Sequence, residues 1–330
     1  MQIKKYLSRK YDFLYRKFPC NILVEITKHR AIINGYKIYK NLLKKYGDSV
    51  AISICPYKGT GDVYLAAGLF SNSVLKHENN VFCVIGTSNE EVARLFFVQH
   101  IEVLSLQEMN SLFRFAVFTG IRRTGISILH PNPPKDHTGI IDFFRNINDI
   151  NFADIIRYST LEFKDVGTPV FPDCNQDMES LFYHLNLKKG KTVLLAPYSY
   201  TLDNFNGLFW RKLAESLLNM GYSVCTNIGS RNEKAIEGTK GISLKYGELY
   251  SFLKMAGIFI GIRSGLCEIV SSIPCKKIIL YHPFIFWGTG DLVDYFSLNK
   301  MGICNDAVEL KYKIDFYSLI EDIKNNLEEL

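Results

Sequence analysis

Residues 50–77 read VAISICPY, then KGTGD, then VYLAAGLFSNSVLKH, and the three parts ask for three different backbones. Val50–Tyr57 is apolar and rich in β-branched residues, the mark of a buried strand. Lys58-Gly59-Thr60-Gly61 is a turn with two residues that tolerate positive φ. Asp62 stands where a helix should begin, and Val63, Ala66, Ala67, Leu69 and Phe70 give that helix an apolar face. A glycine loop and a carboxylate thus sit at the carboxyl end of a strand, where open α/β sheets bind ligands. A purely structural reading fits equally: the glycines make a tight turn and Asp62 caps the helix. This stretch alone leaves both open.

Outward from this unit the same rhythm repeats. Apolar runs at 81–86, 101–106 and 125–130 alternate with helical stretches, and residues 139–161 read as mainly helical. Alternating strands and helices imply a mainly parallel sheet. The rhythm breaks over 162–191, which holds Gly167, Pro169 and Pro172. A second series then runs through TVLLAPYS (192–199), YSVCTNIG (222–229), GISLKY (241–246), IFIGI (258–262) and KKIILYHP (276–283). The expected fold class is α/β, with two Rossmann-like domains and a cleft between them. The expected units are a basic helical segment 1–46, broken near Pro19; an N-terminal domain 47–175; a C-terminal domain 190–314; and a final helix 315–330 returning to the first domain.

Composition narrows the function classes. The chain has 330 residues, 47% of them hydrophobic, enough for two ordinary domains. No run of 18 apolar residues is present, so no membrane-spanning helix is expected. MQIKKYLSRK lacks the apolar stretch of a secretory signal. The eight cysteines are scattered without a C-x-x-C pair, and read as free thiols of a cytoplasmic protein. Charge is uneven: residues 1–46 hold twelve Lys or Arg against Asp12 and Glu25, a local +10 in a chain of net +6. Tyr, Phe, Leu and Ile interleave with that charge, which suits an anionic membrane surface or a helical pair packed on the body. No nucleic-acid motif accompanies it, and nucleic acid is not an expected partner. The expected location is cytoplasmic, on the inner face of the cytoplasmic membrane where the basic segment docks.

The second half carries its own constellation. Ile262-Arg263-Ser264-Gly265-Leu266 ends a strand and opens a helix. Ser264 suits an N-cap, Gly265 lets a ligand approach the backbone, and a helix start with Arg263 beside it suits a diphosphate. The alternative is an Arg that pairs with a carboxylate. Gly229-Ser230-Arg231-Asn232-Glu233 follows another strand. Glu233 either accepts from a ribose or base, or bonds back to its own loop in the spacing of a capping box. Ala196-Pro197-Tyr198-Ser199 closes a third strand on the same edge, where it could touch phosphate or sugar.

The order of these features resembles the heptosyltransferase type of GT-B glycosyltransferase, family 9, over about residues 50–285. The matching residues are Gly61-Asp62 at the first strand–helix turn, Ala196-Pro197, Trp210-Arg211-Lys212-Leu213-Ala214, Gly221-Tyr222-Ser223-Val224, Gly229 with Glu233, and Gly261 to Glu268. The resemblance implies a GT-B-like fold and inverting, metal-independent transfer of a sugar from a nucleotide-diphosphate donor to a surface-glycan or lipid-linked acceptor. Asp62 would be the general base. Tyr198, Ser199, Gly229, Glu233, Arg263, Ser264, Gly265 and Leu266 would face the donor, and Lys58, Gly59, Thr60 and Gly61 the acceptor. The nucleotide-sugar is a substrate, so no cofactor is implied. The sequence departs from the family's pattern at three places, one of them the Asp203-Asn204-Phe205 region, which replaces a Lys before an aromatic residue in the donor loop. Arg263 stands where Asp usually precedes [Ser/Thr]-Gly, and Glu268 where His often follows the Leu. These departures admit two alternatives: a relative that no longer turns over and acts as a partner subunit, or a nucleotide-sugar epimerase. No Asp-x-Asp occurs, so the metal-binding signature of single-domain sugar transferases is missing.

Overall fold

Buried parallel strands at the centre of each half show why the apolar runs were so continuous. The structure, a computed structural model, describes residues 22–73, 79–96, 100–120, 125–129, 144–147, 149–159, 174, 176–200, 202, 205–230, 232–283, 285–286, 290–313 and 315–328. The expectations for residues 1–21, the loop 130–134 and the start of the connection at 162–173 lie outside these.

Helix α1 (Ile22–Tyr46) comes first. Then β1 (Ala51–Ile54), α2 (Thr60–Ser71), β2 (Asn80–Ile85), α3 (Thr87–Arg94), β3 (His100–Leu104), α4 (Leu106–Thr119) and β4 (Ile126–Ile128) alternate. The four strands pair in parallel in the order β3-β2-β1-β4. Helices α5 (Phe152–Ser159) and α6 (Glu179–His184) lead to the second series. That series is β5 (Thr192–Ala196), α7 (Gly207–Asn219), β6 (Ser223–Asn227), β7 (Lys240–Ile242), α8 (Tyr246–Ala256), β8 (Gly257–Ile262), α9 (Gly265–Val270) and β9 (Lys276–Tyr281). A small hairpin, β10 (Ile285–Phe286) and β11 (Gly290–Asp291), precedes α10 (Leu292–Phe296), β12 (Val308–Lys311) and α11 (Phe316–Glu328). The second sheet is parallel throughout, in the order β12-β9-β8-β5-β6-β7.

Counted within its own half, the second sheet has the 3-2-1-4-5-6 order of dinucleotide-binding folds. Strand order reverses between β5 and β8, and in the first sheet between β1 and β4. Each reversal opens a crevice at the strands' carboxyl ends. The first crevice receives the glycine loop, and the second receives Tyr198 and Arg263. The two separate parallel sheets give the pair of Rossmann-like halves that the rhythm implied.

Three layers of core hold this together. Helices α1 and α4 cover one face of the first sheet through Leu42, Leu43, Leu112 and Phe115. Gly35 lets α1 approach closely, because a Cβ there would stand 2.1 Å from the Ser111 carbonyl oxygen. The central layer is shared: Val63, Tyr64 and Phe70 of α2 join one cluster with Phe252 of α8 and Cys267 and Ile269 of α9. The halves are also tied by polar contacts, Tyr64 Oη to Ser272 Oγ at 3.2 Å and Asn151 Nδ2 to the Lys300 carbonyl at 3.0 Å. α6 belongs with the second half, its Phe182 ring 5.3 Å from that of Phe252.

The final helix departs from expectation. Leu319, Ile320, Ile323 and Leu327 of α11 pack with Phe209, Leu213 and Leu217 of α7 on the outer face of the second sheet, not on the first half. The reason lies just upstream. β12 adds a parallel strand beside β9, so α11 completes one more βα unit of the second sheet. Of the eight cysteines, the seven described are free: Cys55, Cys83, Cys225 and Cys267 are buried, and Cys174, Cys275 and Cys304 partly so.

Candidate active site

The glycine loop after β1 is held from outside. Asn89, buried in the first turn of α3, donates through Nδ2 to the carbonyls of Tyr57 (3.1 Å), Lys58 (3.3 Å) and Ile85 (2.9 Å). Lys58 and Gly59 are exposed and Thr60 partly so. Helix α2 starts without a side-chain cap, its N-cap being Gly59 at φ −76°. Asp62 is therefore the third helical residue rather than the cap. Its carboxylate folds back over Gly59, where a Cβ would meet Oδ2 at 2.8 Å.

The glycines serve close approach, not positive φ. Neither Gly59 nor Gly61 adopts it. A Cβ on Gly61 would lie 2.7 Å from Glu268 Oε2 and 2.7 Å from the Gly265 Cα. One on Gly265 would lie 2.7 Å from the Gly61 nitrogen and 2.9 Å from Thr60 Oγ1. The first turns of α2 and α9, one from each half, thus meet backbone to backbone. A further tie braces this junction. Tyr246, first residue of α8, donates its backbone N–H to Glu91 Oε1 of α3 at 2.9 Å.

Next to the junction lies a buried ion pair. Arg263 and Glu268 are 5% and 3% exposed. Nη1 of Arg263 donates to Glu268 Oε2 at 2.8 Å and Nη2 donates to Oε1. Nη1 also donates to the Ser264 carbonyl (2.8 Å) and Nε to the Phe296 carbonyl (2.9 Å), with the guanidinium 5.7 Å from the Phe296 ring centre. That guanidinium is spent inside the protein, as the pairing alternative allowed. Burial works against its charge, but Glu268 outweighs burial and raises its pKa. The Phe296 carbonyl is itself placed by Tyr281, whose hydroxyl lies 3.1 Å from it and 2.5 Å from Glu309 Oε1.

Asp62 faces this pair from across the junction. Burial, then the Glu268 carboxylate, push its pKa from 3.8 up to about 7, with Arg263 pulling the other way. The Asp62 carboxylate makes no hydrogen bond among the described residues, so nothing but charge and desolvation sets its proton affinity. A carboxylate that ionises near neutrality, at the head of a helix and beside a crevice, can take a proton from an incoming hydroxyl.

The other expected residues form a second group along the carboxyl edge of the second sheet. Tyr198, after β5, donates its hydroxyl to the Lys234 carbonyl at 2.5 Å and bridges to the loop after β6. Ser199 Oγ accepts from the Leu202 N–H at 3.3 Å. Glu233 takes the Gly229 N–H on Oε2 at 2.6 Å, while its own N–H donates to the Ser230 carbonyl at 3.2 Å. Glu233 thus closes its own loop, bonding to Gly229 and not to the Ser230 N–H of a capping box. Ser264 is the N-cap of α9 but makes no side-chain cap bond. Gly265 and Leu266 open that helix half-buried. β5 and β8 are neighbours with Ala196 opposite Gly261, which sets both groups on one edge. Among the described residues no cluster of three His, Cys, Asp or Glu side chains is arranged to hold a metal ion.

No protein-family model matches the chain, and no curated protein matches it. Solved structures do. The E. coli ADP-heptose lps heptosyltransferase II superposes with a TM-score of 0.56 at 10% identity, over 85% of this chain and 100% of that one. A glycosyltransferase of family 9 from Veillonella parvula gives 0.53 at 13%, over 84% and 89%. The E. coli heptosyltransferase WaaC with ADP gives 0.50 at 11%, over 84% and 100%. The fold is that of the heptosyltransferases. At these identities the likeness is one of fold, and residue roles rest on the geometry above. Two of the departures from the resembled pattern, Arg263 and Glu268, turn out to be partners.

Sequence reasoning missed Asn89, Glu91 and Tyr246. Each is an isolated polar or aromatic residue in a helix's first turns, and its partner arrives from a distant loop. The signal for Asn89 was a polar residue in the strand-following TSNEEV segment, where a polar side chain can stay buried only if bonded.

Proposed function

We propose that the protein is a glycosyltransferase that moves a sugar from a nucleotide-diphosphate donor to a surface-glycan or lipid-linked acceptor with inversion. The observation that carries this is the placing of Asp62, in the first turn of α2 with its carboxylate folded over the glycine loop, where the two halves of a heptosyltransferase-like fold meet. In this reading the acceptor hydroxyl approaches over Lys58-Gly59-Thr60-Gly61 and attacks the donor's anomeric carbon. Its proton passes to Asp62 as the carbon–oxygen bond to the diphosphate breaks. The diphosphate leaves along Ser264–Leu266, and Tyr198, Ser199, Gly229 and Glu233 hold the nucleotide. Backbone N–H groups at the head of α9 meet the diphosphate's charge without a metal. Arg263 acts here as the partner of Glu268, not as a phosphate ligand.

The test is release of nucleoside diphosphate from a panel of nucleotide-sugars, starting with ADP-heptose, the donor in the name of the structural neighbour. Asp62→Asn should cut turnover about 10²–10⁴-fold, the worth of a positioned base. Undiminished turnover in that variant would remove Asp62 from the reaction.

One observation favours a second reading, a non-catalytic relative that serves as a partner subunit. The open side of Gly265 is filled by Gly61 and Thr60, and Arg263 has four of its five N–H donors engaged. A thermal-shift panel of nucleoside diphosphates separates the two readings. A ligand at a hundred times its Kd stabilises by about 2.7 kcal/mol, and no response to any would favour the partner subunit.

A further inference from the structure

Helix α1 buries one face and leaves the other outward, and among the described residues Arg30–Lys44 the charged side chains of the outward face are all basic. The inward stripe is Ile32, Gly35, Ile38, Tyr39, Leu42 and Tyr46, packed on α4 and the first sheet. Arg30, Ile33, Lys37, Lys40 and Lys44 recur at three- and four-residue spacing on the opposite side, and all five are exposed. None of the four cations has a carboxylate partner among the described residues. By contrast Lys45, at the helix end, is spent on Glu102 at 2.7 Å. Lys40 and Lys44 also rim an open concavity of about 480 Å³, with Leu43, Gly47 and Asp48. In sequence, Glu25 is the helix's sole acidic residue.

Large apolar side chains stand among these cations. Ile33 is 55% exposed and Tyr36 48%. Phe118, at 64%, lies one turn beyond Phe115 in α4, whose ring meets those of Tyr36 and Tyr39 at 5.7 and 5.3 Å. Residues 1–21, which lead into α1, continue the composition: six Lys or Arg against Asp12, interleaved with Ile3, Tyr6, Leu7, Phe13, Leu14 and Phe18.

We propose that the outward face of α1, with Phe118 beside it, docks the protein on an anionic lipid surface. Lys and Arg reach the headgroup phosphates, while Ile33, Tyr36 and Phe118 enter the boundary between headgroups and acyl chains. An aliphatic residue within the basic stripe decides between lipid and nucleic acid. Ile33 gains from acyl chains and gains nothing from a phosphodiester or a base stack. No helix among the described residues is long and apolar enough to cross a membrane, so the contact is one of surface. The surface belongs to the half that carries Asp62, yet the inference stands independently of sugar transfer.

The test uses the full-length protein and co-sedimentation with phosphatidylglycerol–phosphatidylcholine vesicles against phosphatidylcholine alone, at low salt. Binding should need the anionic lipid and weaken as salt rises. The variant K37Q/K40Q/K44Q should bind about a hundredfold more weakly, at roughly fivefold for each cation lost. I33S/F118S should weaken binding severalfold with less change in salt dependence. All five positions are exposed, so circular dichroism and Tm should match the parent, and nucleotide binding should not change. Three results would overturn the proposal: failure to bind either vesicle, equal binding to both, or full binding by the triple variant. Binding of DNA or RNA that the triple variant loses, without lipid binding, would also overturn it and assign the face to nucleic acid.

Discussion

Replacing Asp62 with Asn removes a charge from a site that resists it, and the sign of the stability change can be worked out beforehand. The folded acid ionises at about 7 and the unfolded one near 3.8. Folding therefore takes up a proton between these values. The stabilisation is complete below about pH 4 and lost as pH rises through 7. At 1.36 kcal/mol per pH unit the separation is worth roughly 4 kcal/mol at most. Water reaching part of the carboxylate screens it, and about 1–3 kcal/mol should remain. The asparagine amide is neutral at every pH. The variant should therefore be more stable than the parent by about 1–3 kcal/mol near pH 8.5, and the margin should shrink to a small fraction near pH 4. Urea denaturation of both proteins at each pH measures the difference directly, and all other titrating groups cancel. An ordinary first-turn acid would give the opposite sign, since its charge is favoured there by about 0.3–1 kcal/mol. A variant less stable than the parent at pH 8.5 would refute the raised pKa and, with it, the case for Asp62 as base. In the parent, turnover should fall tenfold per pH unit below about 7, as Asp62 takes up its proton.

Other expectations follow from the same contacts. Arg263→Ala should destabilise by about 3–5 kcal/mol in denaturant, because it leaves Glu268 buried without its partner. The double variant Arg263→Met/Glu268→Leu should recover most of that loss. Gly61→Ala should cost about 1–3 kcal/mol in Tm-monitored unfolding, since its Cβ meets the Gly265 Cα and Glu268 Oε2, both at 2.7 Å. Gly207→Ala, where a Cβ meets nothing within 4 Å, should be neutral or stabilising by up to about 1 kcal/mol, and serves as the control. Asn89→Ala should cost about 1–3 kcal/mol and loosen residues 57–58 to hydrogen exchange, because it removes the donor that three carbonyls share.

Much of the fold was legible because parallel strands covered on both faces are written as unbroken apolar runs, as in TVLLA at 192–196 and IFIGI at 258–262. β12 was not, since VELK is a half-polar edge strand with only part of its side chains covered, and missing it misplaced α11. The glycines show a different limit. Their number and place were plain, but the reason for Gly61 is Gly265, which only folding brings near. The turn chemistry suggested by Lys58-Gly59-Thr60-Gly61 was positive φ, while the structural demand is room for a second backbone. Asp62 was found from its place after a strand. Its raised pKa could not be, because the burial that chiefly causes it arises only on folding and the Glu268 carboxylate that adds to it comes from the other half.

Arg263 and Glu268 are best understood as a single change. A buried guanidinium without a counter-charge, or a buried carboxylate without one, costs several kcal/mol, so either residue alone would be poorly tolerated here. Together they form a neutral pair at the positions where the resembled pattern has Asp and His. The exchange is not silent, because the two charges lie unequally toward Asp62. Glu268 is the member against Gly61, with Oε2 only 2.7 Å from where its Cβ would be, and its effect on Asp62 exceeds that of Arg263. Burial first, and then the Glu268 carboxylate against the opposing pull of Arg263, keep the Asp62 carboxylate basic near neutral pH. That contact exists only where the first turns of α2 and α9 meet. The basicity of Asp62 is therefore a property of the junction between the two halves, not of either half alone.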